Sequence, residues 1–278
     1  MLESLEITIV PVTSISQLSV EATLMKTSGL LSAPKLRRLL LTCFRENLLS
    51  LPVCWSQLTH LTLDAEGSTQ FLRTPSCLMY SQVGKVLKNC LLLMSCSLHL
   101  GSTQDEYVQT PQLDFSVSPS EYTFTLPLLQ KFCLILSGKS AEVFLKYLDL
   151  PVLRHLEMSF EIGWASGIRI LSVNQHSNLI GLLEQHGNKL KHLALDIWSL
   201  TQGNLIPVTH LHLINSTTDS ILDEVVDQLT PSDENPDCLC PMLEEFRCKG
   251  PVGASISEAG LLSFVEKQCV SGKGATLK

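Results

Sequence analysis

One spacing of apolar residues recurs along almost the whole chain. It consists of an apolar residue, two variable positions, a second apolar residue, one variable position and a third apolar residue. A single segment of this kind cannot bury its apolar face alone, so the repeats must stack against one another. The occurrences are Leu2-Leu5-Ile7, Leu36-Leu39-Leu41, Leu58-Leu61-Leu63, Leu93-Cys96-Leu98, Leu129-Phe132-Leu134, Leu153-Leu156-Met158, Leu190-Leu193-Leu195, Val208-Leu211-Leu213 and Leu243-Phe246-Cys248.

The last two apolar residues of each repeat alternate with polar ones, as they do on a half-buried β-strand. The whole spacing is that of the strand segment of a leucine-rich repeat. It predicts an α/β, leucine-rich-repeat-like solenoid with a parallel inner sheet of about nine strands and irregular helices and loops on the convex side. We expect one array over residues 1–270, so that the repeats at 58–63 and 190–195 share a domain, followed by a flexible tail at 271–278.

The steps between successive repeats are irregular, which predicts convex segments of different lengths. Apolar residues at helical spacing predict helices over 80–89, 141–148, 178–186, 218–229 and 257–269. The stretches 101–121 and 163–175 are predicted to be longer insertions, and long loops often carry binding sites. Trp55, Trp164 and Trp198 lie in connections, where a buried position and a binding role are equally open.

Charge and hydropathy limit the kinds of partner. The net charge is −7, whereas a nucleic-acid-binding domain normally carries a basic surface that neutralises phosphates. No apolar run reaches the roughly 18–20 residues that a membrane-spanning helix needs. We therefore predict a protein partner, and neither a nucleic acid nor a membrane.

The ten cysteines are predicted to be reduced thiols. The chain begins directly with a repeat strand and shows no basic and then apolar leader of the kind that directs secretion. Cys96 and Cys248 occupy core positions of their repeats, where a free thiol behaves as a small hydrophobic side chain. We therefore expect a cytoplasmic or nuclear protein, or one found in both compartments.

Catalytic signatures are absent from the sequence. It contains no Gly-x-Ser-x-Gly elbow, no His-Glu-x-x-His and no phosphate-binding Gly-x-x-x-x-Gly-Lys. We therefore predict no enzymatic activity, no catalytic residue and no cofactor. The alternative is an enzyme whose active-site cleft is built by the insertions at 101–121 and 163–175.

Two sets of residues were considered as metal ligands. Cys238, Cys240 and Cys248 lack the paired Cys-x₂-Cys spacing of structural zinc sites, so they are interpreted as core or loop thiols. Four histidines directly precede the second apolar residue of their repeats, namely His60, His155, His192 and His210. We expect only the pair at 192 and 210 to lie on consecutive repeats, so no metal site is predicted.

The run at 51–63, Leu-Pro-Val-Cys-Trp-Ser-Gln-Leu-Thr-His-Leu-Thr-Leu, resembles a segment common in fungal F-box proteins with divergent leucine-rich repeats. The runs at 83–98, 148–156 and 238–244 fit the same pattern. The resemblance implies the substrate-recognition part of a cullin–RING (SCF-type) ubiquitin ligase receptor, whose protein partner is a ubiquitination substrate. Met1 opens inside the repeats, so we expect the F-box, which docks the ligase adaptor, to be missing. A free-standing scaffold or decoy without a ligase role is the alternative.

Strand alternation also predicts where the partner binds. Residues flanking the second and third apolar positions point away from the core and are expected to line a continuous concave wall. The predicted contact residues are Arg38, His60, Thr62, Asp64, His155, Glu157, His192, Asp196, His210 and His212. Because three acidic side chains there (Asp64, Glu157 and Asp196) lie beside four histidines, we predict a partner affinity that changes with pH near the ordinary histidine pKa of about 6.5.

Overall fold

A computed structural model of the chain describes residues 2–8, 29–42, 47–64, 80–100, 124–137, 148–161, 181–183, 185–186, 189–196, 208–214, 243–249, 262, 266 and 276–277. Its contacts divide the chain into two compact units. Unit 1 comprises Met1–Val152 and Glu161–Ala165, and unit 2 comprises Leu153–Phe160 and Ser166–Lys278. The repeats at 58–63 and 190–195, expected in one array, fall in different units, so a single continuous array stays a prediction.

Unit 1 is built on a parallel sheet with one described helix. Its elements in chain order are β1 (Ser4–Thr8), β2 (Arg38–Thr42), 3₁₀ turns at Leu48–Ser50 and Trp55–Gln57, β3 (His60–Asp64), α1 (Tyr80–Lys88), β4 (Ser95–Leu100), β5 (Phe124–Thr125), β6 (Lys131–Ser137) and β7 (Leu148–Asp149). The main sheet has the order β1-β2-β3-β4-β6, and each neighbour pair is parallel. A second, two-stranded parallel sheet joins β5 to β7, and α1 contacts β5.

Unit 2 repeats the same parallel arrangement. Its strands are β8 (His155–Glu161), β9 (His192–Asp196), β10 (His210–Ile214), β11 (Glu245–Lys249) and β12 (Thr276–Leu277). They pair in chain order, and every pair is parallel. Helical residues are described at 181–183 and 185–186, between β8 and β9.

Equivalent apolar positions of successive repeats lie directly opposite one another. In unit 1 the second apolar residues align across the sheet, as Leu61 does with Leu39 and Cys96. Unit 2 aligns its repeats in the same register, with Leu193 opposite Leu156 and Leu211. A shift of one residue would turn every leucine to the other face, so the apolar pattern itself specifies this register.

The aligned apolar residues form the core of each unit. Leu36, Leu58, Leu93 and Leu129, the first apolar residues of four repeats in unit 1, have no exposed surface. Each fully buried leucine contributes about 1.5–3 kcal/mol relative to an exposed one. Leu5 and Ile7 are only half-buried, because β1 lies at the edge of the sheet and has one neighbouring strand. The core therefore deepens as repeats are added.

A forked hydrogen bond links neighbouring repeats within each unit. The carbonyl just before a strand accepts the N–H groups of two consecutive residues of the following repeat. Arg37 O, for example, accepts from the N–H groups of Thr59 and His60 at 2.8 and 3.0 Å. The same fork recurs at the carbonyls of Glu3, Thr59 and Met94 in unit 1, and of Arg154, Lys191 and Thr209 in unit 2. The backbone geometry at the start of the strands is therefore repeated in both units.

A tight turn delivers the first apolar residue of a repeat to the core. Its N–H donates to the carbonyl three residues earlier, as Leu36 does to Ala33 and Leu129 does to Leu126. Pro34 and Pro127 occupy the second position of these turns, where the fixed φ of proline suits a type I turn. These prolines therefore lie in the turns that precede the repeat strands and interrupt no strand.

The structure confirms an α/β chain with parallel strands, and each of the predicted repeats contains one of them. Helix 80–89 is confirmed by α1, and the described residues of the predicted helices at 178–186 and 257–269 are helical. The predicted helix at 141–148 is wrong at its end, because Leu148 belongs to β7. The rest of that helix lies outside the described residues. The same holds for the predicted helix at 218–229 and for both predicted insertions, 101–121 and 163–175. The predicted tail, 271–278, contains β12.

Replacing a core leucine should cost far more than replacing its neighbour on the other face. Leu61 is 1% exposed between Leu39 and Cys96, so Leu61→Ala should lower the free energy of unfolding by about 2–5 kcal/mol. Thr62→Ala, one residue along β3 on the half-buried face, should change it by no more than about 0.5 kcal/mol. Urea denaturation followed by circular dichroism measures both. Equal losses would show that the two faces of β3 are wrongly assigned.

Candidate functional site

The face opposite the core of unit 1 carries half-buried and exposed polar residues. Arg38 on β2 lies directly opposite His60 on β3, and Asp64 lies opposite His99 on β4. Arg38 is exposed, whereas His60, Thr62 and Asp64 are half-buried. The four residues predicted from unit 1 therefore lie together on two neighbouring strands.

A threonine fixes the ring of His60. Thr59 Oγ1 lies 2.9 Å from Nδ1 of His60, and the same hydroxyl donates to the carbonyl of Arg37 at 3.2 Å. Burial lowers the pKa of His60, and the positive charge of Arg38 opposite lowers it further. His60 is therefore a neutral, oriented imidazole at neutral pH. Thr209 holds Nδ1 of His210 in the same way, at 2.8 Å.

His99 is a member of this face that the sequence analysis missed. Its Nδ1 lies 3.1 Å from Oδ1 of Asp64, and its side chain is 8% exposed. The signal was present in the sequence: His99 follows Leu98 as Asp64 follows Leu63, each one position after the third apolar residue. The same alternation places Ser95 and Ser97 on this face, beside His60 and Thr62.

Three histidines of unit 2 stack across consecutive strands. His155, His192 and His210 lie in register on β8, β9 and β10. The ring centroids are 5.2 Å apart between His155 and His192 and 4.2 Å apart between His192 and His210, with interplanar angles of 31° and 39°. The expectation that only 192 and 210 are consecutive is therefore wrong, because β8 is the direct neighbour of β9.

Charged residues surround this stack. Glu245 on β11 lies opposite His210 and forms an ion pair with Arg247 of the same strand. Burial lowers the pKa of His192, and neighbouring His210 lowers it further; Glu245 acts in the opposite direction. The middle ring of the stack is therefore neutral at neutral pH.

The remaining predicted residues of unit 2 lie on the same strands. Glu157 and His212 are half-buried, two residues after His155 and His210. Ala194 separates them in register on β9 and is buried. Asp196 is the last residue of β9, and its side chain lies outside the described residues. Unit 2 thus brings together four of the predicted histidines and one predicted carboxylate.

Two of the described thiols, Cys90 and Cys96, are buried and suited to packing rather than to reaction. Burial raises the pKa of the Cys90 thiol to about 12 and that of Cys96 well above its ordinary value. Both are free thiols in the core. In the part of the chain that the structure describes, no three histidine, cysteine or acidic side chains are arranged to hold a metal ion. Cys238 and Cys240 lie outside the described residues.

Unit 1 also exposes apolar side chains at its turns. Leu92, Leu128 and Val152 each directly precede the first apolar residue of a repeat, and they are 44%, 44% and 39% exposed. Trp55, in contrast, is buried and belongs to the core. These turn residues form a second surface on which a partner could bind.

Comparisons with known proteins identify no family for this chain. No protein-family model and no curated protein matches it. Among the residues that the structure describes, no helix has both the length and the apolar content needed to cross a bilayer.

The pKa of His60 should respond to its neighbour Arg38. We expect His60 in the native protein to titrate below the ordinary value of about 6.5, and Arg38→Ala to raise its midpoint because one of the two causes is removed. Arg38→Lys keeps the charge and should leave the midpoint lowered. Two-dimensional NMR of the histidine ring protons measures each midpoint. A midpoint that is identical in all three proteins would show that Arg38 does not act on His60.

The lowered pKa values also set the sign of a stability change. Because the pKa values of His60 and His192 are lower in the folded chain than in the unfolded one, the unfolded chain binds more protons in mild acid. Their contribution to stability is fully present above about pH 6.5 and is lost as the pH falls from there toward the folded pKa.

Proposed function

We propose that the chain is a leucine-rich-repeat-like solenoid that serves as a non-catalytic protein-interaction module. The observation that carries this proposal is the register of the strands. It places residues at the same position of successive repeats side by side, in rows across each sheet. Such rows form an extended surface with no local motif, which is how repeat proteins recognise partners.

The chemistry of these rows suits the surface of a protein. Successive strands present imidazole, hydroxyl, guanidinium and carboxylate groups at half-buried positions, as in the set of Arg38, His60, Thr62 and Asp64. The backbone groups of the strands are paired with their neighbours, so recognition falls to side chains. A mixture of donors, acceptors and both signs of charge matches the polar character of protein–protein interfaces better than an apolar ligand.

The resemblance to F-box proteins suggests which class of protein the partner belongs to. It extends over the runs at 51–63, 83–98, 148–156 and 238–244, each of which covers or leads into a repeat strand. On this basis we propose that the bound protein is a ubiquitination substrate and that the chain acts as the recognition part of a ligase receptor. The assignment rests on sequence resemblance, and capture of the ligase adaptor tests it separately from partner binding.

Introducing negative charge on the strand faces should weaken binding of the partner. Partners are first identified by cross-linking pull-down with the native chain, and their affinities are then measured with purified proteins. His60→Glu tests unit 1, and His155→Glu with His192→Glu tests unit 2. We expect at least one of these variants to weaken binding by tenfold or more, corresponding to about 1.4 kcal/mol, because the new carboxylates lie in the middle of the proposed contact rows.

Two control variants distinguish the strand faces from other surfaces. Lys85→Glu changes an exposed charge on α1, away from the strand rows, and should leave the affinity unchanged. Leu128→Glu changes the apolar turn surface. If the histidine variants bind normally while Leu128→Glu or deletion of 101–121 abolishes binding, the interface is a turn or an insertion and the proposal is wrong.

The same pull-down tests the ligase role. Recovery of a cullin–RING adaptor supports a ligase receptor, and its absence supports a free-standing scaffold.

A further inference from the structure

The stack of three imidazoles in unit 2 is the densest group of titratable side chains that the structure describes. The rings of His155, His192 and His210 lie on three neighbouring strands, with centroid separations of 5.2 and 4.2 Å. His192 is the middle ring and has an imidazole on each side. His60, in unit 1, occupies the equivalent position of its repeat, but its neighbours in register are Arg38 and Ser95.

Ring contact at these distances depends on the protonation state. Neutral imidazoles can lie against one another, with one ring nitrogen donating and the other accepting. Two adjacent imidazolium rings carry like charges only a few ångströms apart, and this disfavours protonation of the second ring. The strand pairing brings the backbones of the three histidines to the spacing of the sheet, about 4.8 Å, so the rings face one another on neighbouring strands.

Charged residues of both signs lie around the stack. The carboxylate of Glu245 opposite His210 is already paired with Arg247. Lys191 and Arg247 lower the pKa of His192, whereas Glu245 raises it. Besides the three histidines, the titratable and charged residues on the four strands that meet here, or directly before them, are Arg154, Glu157, Glu161, Lys191, Asp196, His212, Glu244, Glu245, Arg247, Cys248 and Lys249.

We propose that the stack of His155, His192 and His210 is a proton-operated switch in unit 2. At neutral pH the middle ring, His192, is neutral and packs between the other two across β8, β9 and β10. In mild acid, protonation of His192 together with a neighbouring ring places like charges in contact, which separates the rings and removes side-chain contacts that join β9 to its neighbours. The switch is a property of unit 2 alone and needs no partner. The switch can therefore be disproved while the proposed function holds, and the proposed function can be disproved while the switch holds.

The titration midpoint of His192 tests the coupling between the rings. The ring protons of the eight histidines of the full chain are followed by two-dimensional NMR from pH 8 to pH 5. We expect His192 to titrate below the ordinary histidine value of about 6.5, and His210→Asn to raise its midpoint because one neighbouring imidazole is removed. His60→Asn is the matched control and should leave the curve of His192 unchanged.

Hydrogen exchange tests the structural consequence. Amide protection in β9 and β10, corrected for the intrinsic effect of pH, should fall at least about tenfold between pH 7.5 and pH 5.5 in the native chain. The fall should be smaller in His192→Asn and unchanged in His60→Asn. If His192→Asn does not fold, His210→Asn replaces it. A midpoint of His192 at or above the ordinary histidine value, a midpoint that His210→Asn leaves unchanged, or protection that does not depend on the stack would overturn the proposal.

Discussion

Within each unit, the carbonyl just before a repeat strand accepts two backbone N–H groups from the next repeat, and this forked bond fixes how neighbouring repeats meet. Arg37 O holds Thr59 and His60, and Thr59 O in turn holds Met94 and Ser95. Because each fork positions the first residue of the next strand, it sets the register of the whole strand. Every other regularity of the two units follows from this one: aligned leucines on one face and aligned polar side chains on the other.

The core and the candidate site are therefore two results of the same register. The fork that buries Leu61 between Leu39 and Cys96 also places His60 opposite Arg38 and Asp64 opposite His99. In unit 2 the same constraint aligns His155, His192 and His210, whose rings are close because parallel strands bring equivalent positions to adjacent places. The apolar face forms the core, and the polar face carries the side chains on which the proposed binding and the proposed response to pH depend.

The sequence predicted the strands well because each repeat carries its own apolar spacing. It also predicted which side chains leave the core, since alternation along a strand is local. It did not predict the short strands β5 and β7, because two-residue strands at Phe124–Thr125 and Leu148–Asp149 carry no periodicity. Nor did it predict contacts between repeats, such as Asp64 with His99, whose partners are separated by 35 positions. The sequence analysis expects only His192 and His210 on consecutive repeats and therefore does not predict the stack of three rings, in which His155 on β8 lies beside His192 on β9.

The register of unit 1 is tested most directly by a disulfide between neighbouring strands. Ser97 on β4 lies opposite Cys133 on β6, both half-buried on the polar face, whereas Ser95 lies opposite Lys131. Neighbouring parallel strands are about 4.8 Å apart, within the Cα separation of about 4.4–6.8 Å that a disulfide spans. Peptide mapping after mild oxidation should find Ser97→Cys bonded to Cys133 and Ser95→Cys not bonded to it. A bond from Ser95→Cys to Cys133, or none from Ser97→Cys, would contradict the register on which both the core and the binding face depend.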